Sequence, residues 1–262
     1  MALLAIDIGN TEVALGVFQG EKLLDTWRLA TDVHKTPDEY GVLLLNLLPR
    51  AGVSPEQIKG AILCCVVPPL VAPFQELCQR YLGVAPLVVG AGIKTGIRIA
   101  TENPREVGAD RVADALAGFR IYGGPIIIID FGTAITFDAV SGEGELLGVA
   151  IAPGIGIAAE ALFQRAAKLP GVELVRPKQA IGRNTVTAMQ SGLIFGYVGL
   201  VEGIVVRIKQ ELGGAARVVA TGGLAHVMAK ETTIVEAVEP NLTLLGLRFI
   251  YEINRPSAVV PH

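Results

Sequence analysis

Two short segments of the chain combine residues that can bind phosphate and a cation. The first is Asp7-Ile8-Gly9-Asn10-Thr11 and the second is Asp130-Phe131-Gly132-Thr133-Ala134. Each follows an apolar run that is typical of a buried strand. A carboxylate at the end of a strand can hold a cation, and a glycine lets the following N–H groups turn toward phosphate. The pair predicts a site for the phosphates of a nucleotide, with a chance similarity of two tight hairpins as the alternative.

A third segment could bind an anion and accept a proton. Gly108-Ala109-Asp110-Arg111 stands at the start of a predicted helix, where the helix dipole favours negative charge. The guanidinium of Arg111 can bind a carboxylate through two parallel hydrogen bonds. Asp110 could take a proton from a hydroxyl group. Considered alone, however, the segment is better explained as an acidic helix start beside a solvated arginine.

Two further glycine-containing segments have both a structural and a functional interpretation. Thr221-Gly222-Gly223 lies where a strand runs into a helix, and its glycines would let the backbone approach a flat ring or a ribose. A plain loop explains this segment equally well. Gly182-Arg183-Asn184-Thr185 precedes a long predicted helix. Asn184 or Thr185 could cap that helix, and either could also contact a polar substrate.

Several other patterns are not expected to carry chemistry. Residues 154–159 match the dinucleotide fingerprint G-x-G-x-x-A, but the preceding strand belongs to a hairpin unit, so NAD binding is not expected. The three histidines are scattered along the chain. The three cysteines lack metal-ligand spacing and are expected to be packed in the core or on a helix face.

The elements that must position these segments occur in the same order twice. Strands are predicted over residues 2–8, 13–19 and 22–29, and again over 126–130, 134–140 and 145–152. Each trio is followed by a helix, a strand and a further helix. The repeat predicts an α/β protein with two domains, residues 1–121 and 122–262, each built on a mixed sheet.

Composition limits the partners that the chain can be expected to bind. Its 262 residues are 51% hydrophobic, with a net charge of −3, a pI near 5.7 and a mean hydropathy of +0.52. The absence of a basic patch argues against nucleic acid. The longest uncharged run, residues 184–201, is too polar for a predicted membrane span. Because no signal peptide is recognisable either, we expect a cytoplasmic protein without a membrane partner.

With its motifs in this order, the chain resembles the type III pantothenate kinases of the acetate and sugar kinase/Hsc70/actin superfamily. The resemblance covers nearly the whole chain and rests on residues 7–11, 27–28, 36–40, 66–68, 103–111, 130–134, 153–154, 181–185 and 221–223. It implies two related ribonuclease H-like domains of the actin-like ATPase superfamily, with mixed sheets flanked by helices. It also implies a homodimer.

The resemblance implies a kinase that transfers the ATP γ-phosphate to pantothenate, the first step of coenzyme A biosynthesis. Its implied cofactors are Mg²⁺ near Asp7, through water, and K⁺ or NH₄⁺ at Asp130. Asp110 is the implied general base. The implied ATP contacts are Asp7, Ile8, Gly9, Asn10, Thr11, Thr133, Gly222 and Gly223, and the implied pantothenate contacts are Thr101, Gly108, Ala109, Asp110, Arg111 and Thr185.

The chain departs from the family pattern at one substrate position. Thr101 stands where the family often has tyrosine, so ring packing against the substrate is lost or supplied from elsewhere. Two alternatives stay open. One is another small-molecule kinase or phosphatase of the superfamily; the other is a nucleotide-binding accessory protein that supports transcription without catalysis. Intact Asp7, Asp110, Arg111 and Asp130 argue against lost chemistry.

Overall fold

The computed structural model describes residues 1–166 and 168–255. These residues form two compact units. The first unit contains Met1–Ile97, Asn103–Ala117 and the described residues from Thr243 onward, and the second contains Arg98–Glu102 and Gly118–Leu242. The predicted domain boundary between residues 121 and 122 stays a prediction. The compact units are not continuous in sequence, because Arg98–Glu102 belongs to the second unit and the described residues from Thr243 onward belong to the first.

Strands and helices follow one another in a largely alternating order. The strands are β1 (Ala2–Ile8), β2 (Glu12–Gln19), β3 (Lys22–Ala30), β4 (Ile58–Cys65), β5 (Leu87–Val88), β6 (Arg98–Ile99), β7 (Ile126–Phe131), β8 (Ala134–Val140), β9 (Glu145–Pro153), β10 (Arg217–Thr221) and β11 (Ala237–Val238). The α-helices are α1 (Pro37–Leu47), α2 (Val71–Leu77), α3 (Ala109–Tyr122), α4 (Ile155–Arg165), α5 (Thr185–Glu211), α6 (Ala225–Met228) and α7 (Leu242–Asn254). The predicted strand trios are confirmed to within one residue at each end.

The first unit is built on a five-stranded mixed sheet in the order β3-β2-β1-β4-β5. β1, β2 and β3 form an antiparallel meander, and β4 and β5 continue the sheet in parallel with β1. The pattern Thr36-Pro37-Asp38-Glu39 predicts a capping box at a helix start, and α1 begins with it: Thr36 and Glu39 satisfy each other's backbone N–H groups. The core beneath α1 contains a contact between the rings of Tyr40 and Phe74, 4.7 Å apart at their centroids.

The second unit repeats this topology. Its six-stranded sheet has the order β11-β10-β7-β8-β9-β6, so the antiparallel meander β7-β8-β9 again carries two parallel strands beside its first member. Residues 90–104 are polar and glycine-rich, which predicts a loop with a short strand, and the short β6 in this stretch pairs in parallel with β9. Four consecutive isoleucines, residues 126–129, are fully buried in β7, as expected for a strand covered on both faces.

The longest helix of the second unit, α5, leaves much of its apolar surface uncovered. The expectation that residues 184–201 are too polar for a membrane span does not hold by length and composition alone, because α5 is long and apolar enough to cross a membrane. Only 22% of its most apolar 18-residue window is buried. Glycines at positions 192, 196 and 199 are exposed, and a methyl group added at any of them would meet no other atom within 4 Å. α5 therefore presents an open apolar face with room for a close neighbour.

Candidate functional site

In the first unit, the turn after β1 is held from both sides. The Gly9 N–H donates to the Glu12 carbonyl at 3.0 Å, which closes the hairpin. The Thr31 hydroxyl donates to the Gly9 carbonyl at 2.7 Å, and the Thr31 N–H donates to the carbonyl of Thr11 at 3.0 Å. Asn10 is exposed at the tip of the turn. A fixed turn with an exposed polar tip is suited to binding phosphate oxygens.

Asp7 lies beside a cysteine of the neighbouring parallel strand. The register of β1 and β4 pairs Asp7 with Cys64, so both side chains leave the same face of the sheet. The Cys64 thiol donates a hydrogen bond to Oδ1 of Asp7 at 3.0 Å. Cys64 is completely buried, whereas Asp7 is half-buried. The carboxylate at the end of β1 is therefore oriented by a side chain that solvent does not reach.

The predicted base, Asp110, lies in the first turn of α3. Its Oδ1 accepts a hydrogen bond from the Arg111 N–H at 2.9 Å, as an acidic residue at a helix start can do. The carboxylate lies over Gly108, and a methyl group added to Gly108 would collide with Oδ1. Asp110 and Arg111 are both half-buried, so they remain within reach of a ligand.

The charges near Cys64 show that the hairpin and the α3 start lie close together. Burial raises the pKa of the Cys64 thiol well above its ordinary value, and the negative charges of Asp7, Asp110 and Asp114 raise that pKa further. Three carboxylates from two sequence segments thus act on one buried group. The first unit brings together two of the segments that the sequence predicts to be functional.

In the second unit, Asp130 is enclosed by glycines. β7 and β10 pair Asp130 with Thr221, which brings the Thr221-Gly222-Gly223 turn alongside the carboxylate. Gly222 has a φ of +89°, and a methyl group there would collide with Oδ1 of Asp130 and lie 2.7 Å from the Phe131 carbonyl carbon. Two predicted segments, one expected to hold a cation and one a nucleotide, therefore meet at this strand end.

Thr133 lies on the turn that joins β7 to β8, next to the start of α4. The Gly154 N–H donates to the Thr133 carbonyl at 3.1 Å. The Tyr197 hydroxyl from α5 donates to the carbonyl of Pro153 at 3.0 Å, one residue before Gly154. Gly154, the first glycine of the G-x-G-x-x-A pattern, thus stabilises the turn between β7 and β8. The strand before it, β9, pairs antiparallel with β8, as expected.

Thr185 lines an open cleft of about 760 Å³ in the second unit. The lining residues are Leu162, Leu169, Gly182, Arg183, Asn184, Thr185, Ala188, Met189, Gly192 and Leu193. Asn184 is the cap of α5, because its Oδ1 accepts from the Thr187 N–H at 2.9 Å. Thr185 takes no part in that capping box, and it is an exposed residue of the cleft lining.

Thr101, the position that departs from the family pattern, also lies in the second unit. The neighbouring Ala100 N–H donates to the Leu146 carbonyl at 2.8 Å, which fixes the backbone here. Among the described residues no group hydrogen-bonds to the Thr101 hydroxyl oxygen, which is buried. A buried hydroxyl group without a partner is uncommon and is a group that a ligand could satisfy.

The carboxylates of Asp7 and Asp130 could each hold a cation whose other ligands are not protein carboxylates. Within the described part of the chain, no group of three or more His, Cys, Asp or Glu side chains is arranged to hold a metal ion. Mg²⁺ in phosphate-transfer sites is bound by one or two carboxylates together with waters and substrate phosphates. A single carboxylate at Asp7 fits that donor set. Asp130, among backbone groups of two turns, fits a cation that prefers oxygen ligands.

Sequence reasoning missed Cys64, which it expected to be only a core thiol. Its burial is confirmed, but its hydrogen bond to Asp7 is not a core contact. The available signal was its place near the end of a buried strand, but the pairing register that aligns it with Asp7 is not visible in local sequence. Gly182 was likewise given no separate role, although a methyl group there would collide with the backbone of α5.

Comparisons with known proteins agree on one family. The family model described as type III pantothenate kinase matches residues 3–207. A type III pantothenate kinase from Roseiflexus sp. (strain RS-1) is 56% identical over 253 residues, which cover 97% of this chain and 99% of that protein. One from Moorella thermoacetica is 55% identical over 252 residues, which cover 96% of this chain and 99% of that protein.

Solved structures are similar at the level of fold. The inorganic polyphosphate/ATP-glucomannokinase from Arthrobacter sp. strain KM has a TM-score of 0.51 and 14% sequence identity, covering 97% of this chain and 99% of its own. This likeness in fold, together with the mixed sheets flanked by helices, confirms the expected α/β fold class.

Proposed function

The chain belongs to the type III pantothenate kinase family, and from this premise we propose that Asp110 is its general base. The enzyme is an ATP-dependent kinase that phosphorylates pantothenate in coenzyme A biosynthesis. The observation that carries the assignment of Asp110 is its place in the first turn of α3, where the Arg111 N–H holds a half-buried carboxylate that a ligand can reach. A base must lie near the phosphates that the attacking hydroxyl approaches.

The reaction requires positioning more than strong proton abstraction. The transition state of phosphoryl transfer is largely loose, so the bond from the γ-phosphorus to ADP breaks as the bond to the pantothenate hydroxyl oxygen forms. Asp110 accepts the hydroxyl proton late in this transfer. The hydrogen bond from the Arg111 N–H to Oδ1 holds the carboxylate in place while its remaining lone pairs stay available for that proton.

We assign the ATP phosphates to the two strand–turn segments. In the first unit this set is Asp7, Ile8, Gly9, Asn10 and Thr11, and in the second it is Thr133 with Gly222 and Gly223. Bound Mg²⁺ would neutralise charge that develops on the transferred phosphate, and Asp7 would hold it through water. The fixed Gly9 turn and the exposed Asn10 support this assignment.

Asp130 is the proposed ligand of a monovalent cation, K⁺ or NH₄⁺. Its carboxylate lies against the positive-φ Gly222 and near Gly132, between the turns that follow β7 and β10. A bound cation would offset the charge of Asp130 next to the nucleotide phosphates. This arrangement favours activation by a monovalent cation.

Pantothenate is assigned to residues of both units. In the first unit the guanidinium of Arg111 suits the pantothenate carboxylate, and Gly108 and Ala109 form the backbone beside it. In the second unit Thr185 lines the cleft, and the buried Thr101 oxygen offers a hydrogen-bonding group. Threonine is smaller than the tyrosine common in the family, so polar contact replaces ring packing at this position.

We further propose a cytoplasmic homodimer that binds neither nucleic acid nor membrane. The open face of α5 supports a protein partner, because its glycines at positions 192, 196 and 199 would allow a second helix to approach closely. Exposed apolar side chains at alternate positions of β9, namely Leu147, Val149 and Ile151, supply further surface to bury. A second copy of the chain would cover both.

The experiment that tests the function measures ADP release with ATP and Mg²⁺, with and without pantothenate and with K⁺, NH₄⁺ or neither. Asp110→Asn keeps the shape of the side chain but cannot take a proton, so turnover should fall by about 10² to 10⁴-fold. Removal of both monovalent cations should lower the wild-type rate. Asp25→Asn, which lies outside the proposed machinery, is the matched control.

Pantothenate-dependent ADP release by wild-type enzyme, lost in Asp110→Asn and retained in Asp25→Asn, would support the base. Near-normal turnover in Asp110→Asn would exclude Asp110 as the base. Nucleotide binding without pantothenate-dependent release would point instead to another acceptor or to the accessory role.

A further inference from the structure

The Cys64 thiol is a buried polar group that the proposed mechanism does not use. It is 0% exposed and lies on β4, an interior strand of the sheet, yet its Sγ is 3.0 Å from Oδ1 of Asp7. A carboxylate can only accept hydrogen bonds, so the thiol is the donor of this pair. The other two cysteines have different surroundings: the Cys65 thiol donates to the Val67 carbonyl at 3.0 Å, and Cys78 lies in the apolar core.

We propose that Cys64 is a positioning residue that orients the Asp7 carboxylate for binding of the ATP phosphates and their metal ion. This inference rests on the proposed role of Asp7. Complete burial keeps Cys64 from touching the nucleotide, so any effect must pass through Asp7. A hydrogen bond to one carboxylate oxygen restricts rotation of the group, which is what outer partners of metal-binding carboxylates do.

The chemical type of the donor suits this role. A lysine or arginine at position 64 would orient Asp7 but would also cancel its charge, and the attraction for a metal ion would be lost. A thiol donates without carrying positive charge, so the full negative charge of Asp7 remains available. The parallel register of β1 and β4 aligns the two residues, and the strands hold both Cα positions fixed.

The test compares donor and non-donor side chains at position 64. Cys64→Ala and Cys64→Val both remove the donor, and valine preserves the packing volume in case alanine destabilises the strand. Cys64→Ser restores a donor. Cys78→Ala is the matched control for truncating a buried thiol elsewhere in the same unit. Affinity for a non-hydrolysable ATP analogue with Mg²⁺ is measured by calorimetry without pantothenate, alongside kcat, KM for ATP and urea unfolding.

We expect Cys64→Ala and Cys64→Val to raise the Kd of the Mg²⁺-bound analogue by about tenfold, the size of effect seen when outer partners of metal ligands are removed. The KM for ATP should rise in parallel, while the KM for pantothenate stays unchanged. Cys64→Ser should stay within about threefold of wild type because it retains a donor. Cys78→Ala should leave the Kd unchanged whatever it does to stability.

A double-mutant cycle makes the proposal specific to Asp7. In an Asp7→Ala background, Cys64→Ala should cause no further loss of affinity, because the acceptor of the thiol hydrogen bond is already gone. Additive losses, an unchanged Kd in both Cys64→Ala and Cys64→Val, or a loss in Cys64→Ser equal to that in Cys64→Val would each overturn the proposal. Since the assay uses no pantothenate, these results are independent of whether pantothenate is the acceptor.

Discussion

At the scale of single residues, two of the three proposed functional carboxylates, those of Asp110 and Asp130, lie close to a glycine. Asp110 lies over Gly108, and Asp130 lies against Gly222. Only Gly222 has a positive φ, so at Gly108 the backbone conformation itself would accept alanine. The glycine of Gly-Ala-Asp-Arg therefore leaves room for the carboxylate of Asp110 in the position that it takes here, and a side chain at Gly108 would displace that carboxylate.

This relation predicts the effect of Gly108→Ala. The added methyl group would collide with Oδ1 of Asp110, so the carboxylate must move away from its place at the helix start. A displacement of about 1 Å can cost on the order of 10²-fold in rate, and we expect a loss of that size in kcat with little change in unfolding free energy. Steady-state kinetics and urea unfolding check this expectation.

Gly90→Ala is the control, because Gly90 has no positive φ and a methyl group there meets no atom within 4 Å. Equal activity in Gly108→Ala and Gly90→Ala would contradict the requirement for space around Asp110.

At the scale of elements, the capping box of α1 is a local device that sequence and structure describe identically. The Glu39 N–H donates to the Thr36 hydroxyl at 3.3 Å, and the Thr36 N–H donates to Oε2 of Glu39 at 2.8 Å. The Thr36 N–H and the Thr36 hydroxyl both donate to Oε2 of Glu39, and these two bonds lower the pKa of the exposed Glu39 carboxyl group. The capping box fixes the start of α1, the helix that carries Tyr40 into the core of the first unit.

We expect Thr36→Ala to lower the free energy of unfolding by about 1 kcal/mol, as for other lost N-caps. Thr36→Ser keeps the hydroxyl and should retain most of the stability. Urea unfolding followed by circular dichroism measures the difference. Since the site residues are not involved, kcat at 25 °C should not change; a fall in kcat without a fall in stability would contradict the local role of the box.

At the scale of the whole molecule, the two units share one sheet topology but differ in how much of their helical surface is covered. The long α5 has Gly196 and Gly199 exposed on a face that another helix could approach. A protein surface of this kind is usually buried by a partner. The proposed homodimer would provide that partner.

A large charged residue on this face should separate the subunits. Gly199→Arg would place a charge where the second helix approaches, so we expect a monomer in sedimentation analysis where wild type is a dimer. Gly142→Arg, at an exposed turn of the second unit, is the control and should remain dimeric. A dimeric Gly199→Arg would move the interface elsewhere, and a monomeric wild type would contradict the homodimer.

The sequence by itself determined the local features. Hydrophobic periodicity and turn chemistry act over a few residues, and they predict the two strand trios, the capping box at Thr36 and the start of α5. The motifs around Asp7, Asp110 and Asp130 are visible in the same local patterns. The same patterns predicted the repeated order of strands, because each repeat contains its own turns and breaks.

Only the tertiary structure decided which distant residues became neighbours. Strand register placed Cys64 beside Asp7, 57 positions away, and brought Thr221 beside Asp130. It also packed α7 in the first unit, where Gly246 lies against the α3 backbone at Ala113. Pairing between separated strands depends on which faces the whole core buries, and one residue of slip would reverse every side chain. Local sequence contains no such information, so these contacts emerged with the complete fold.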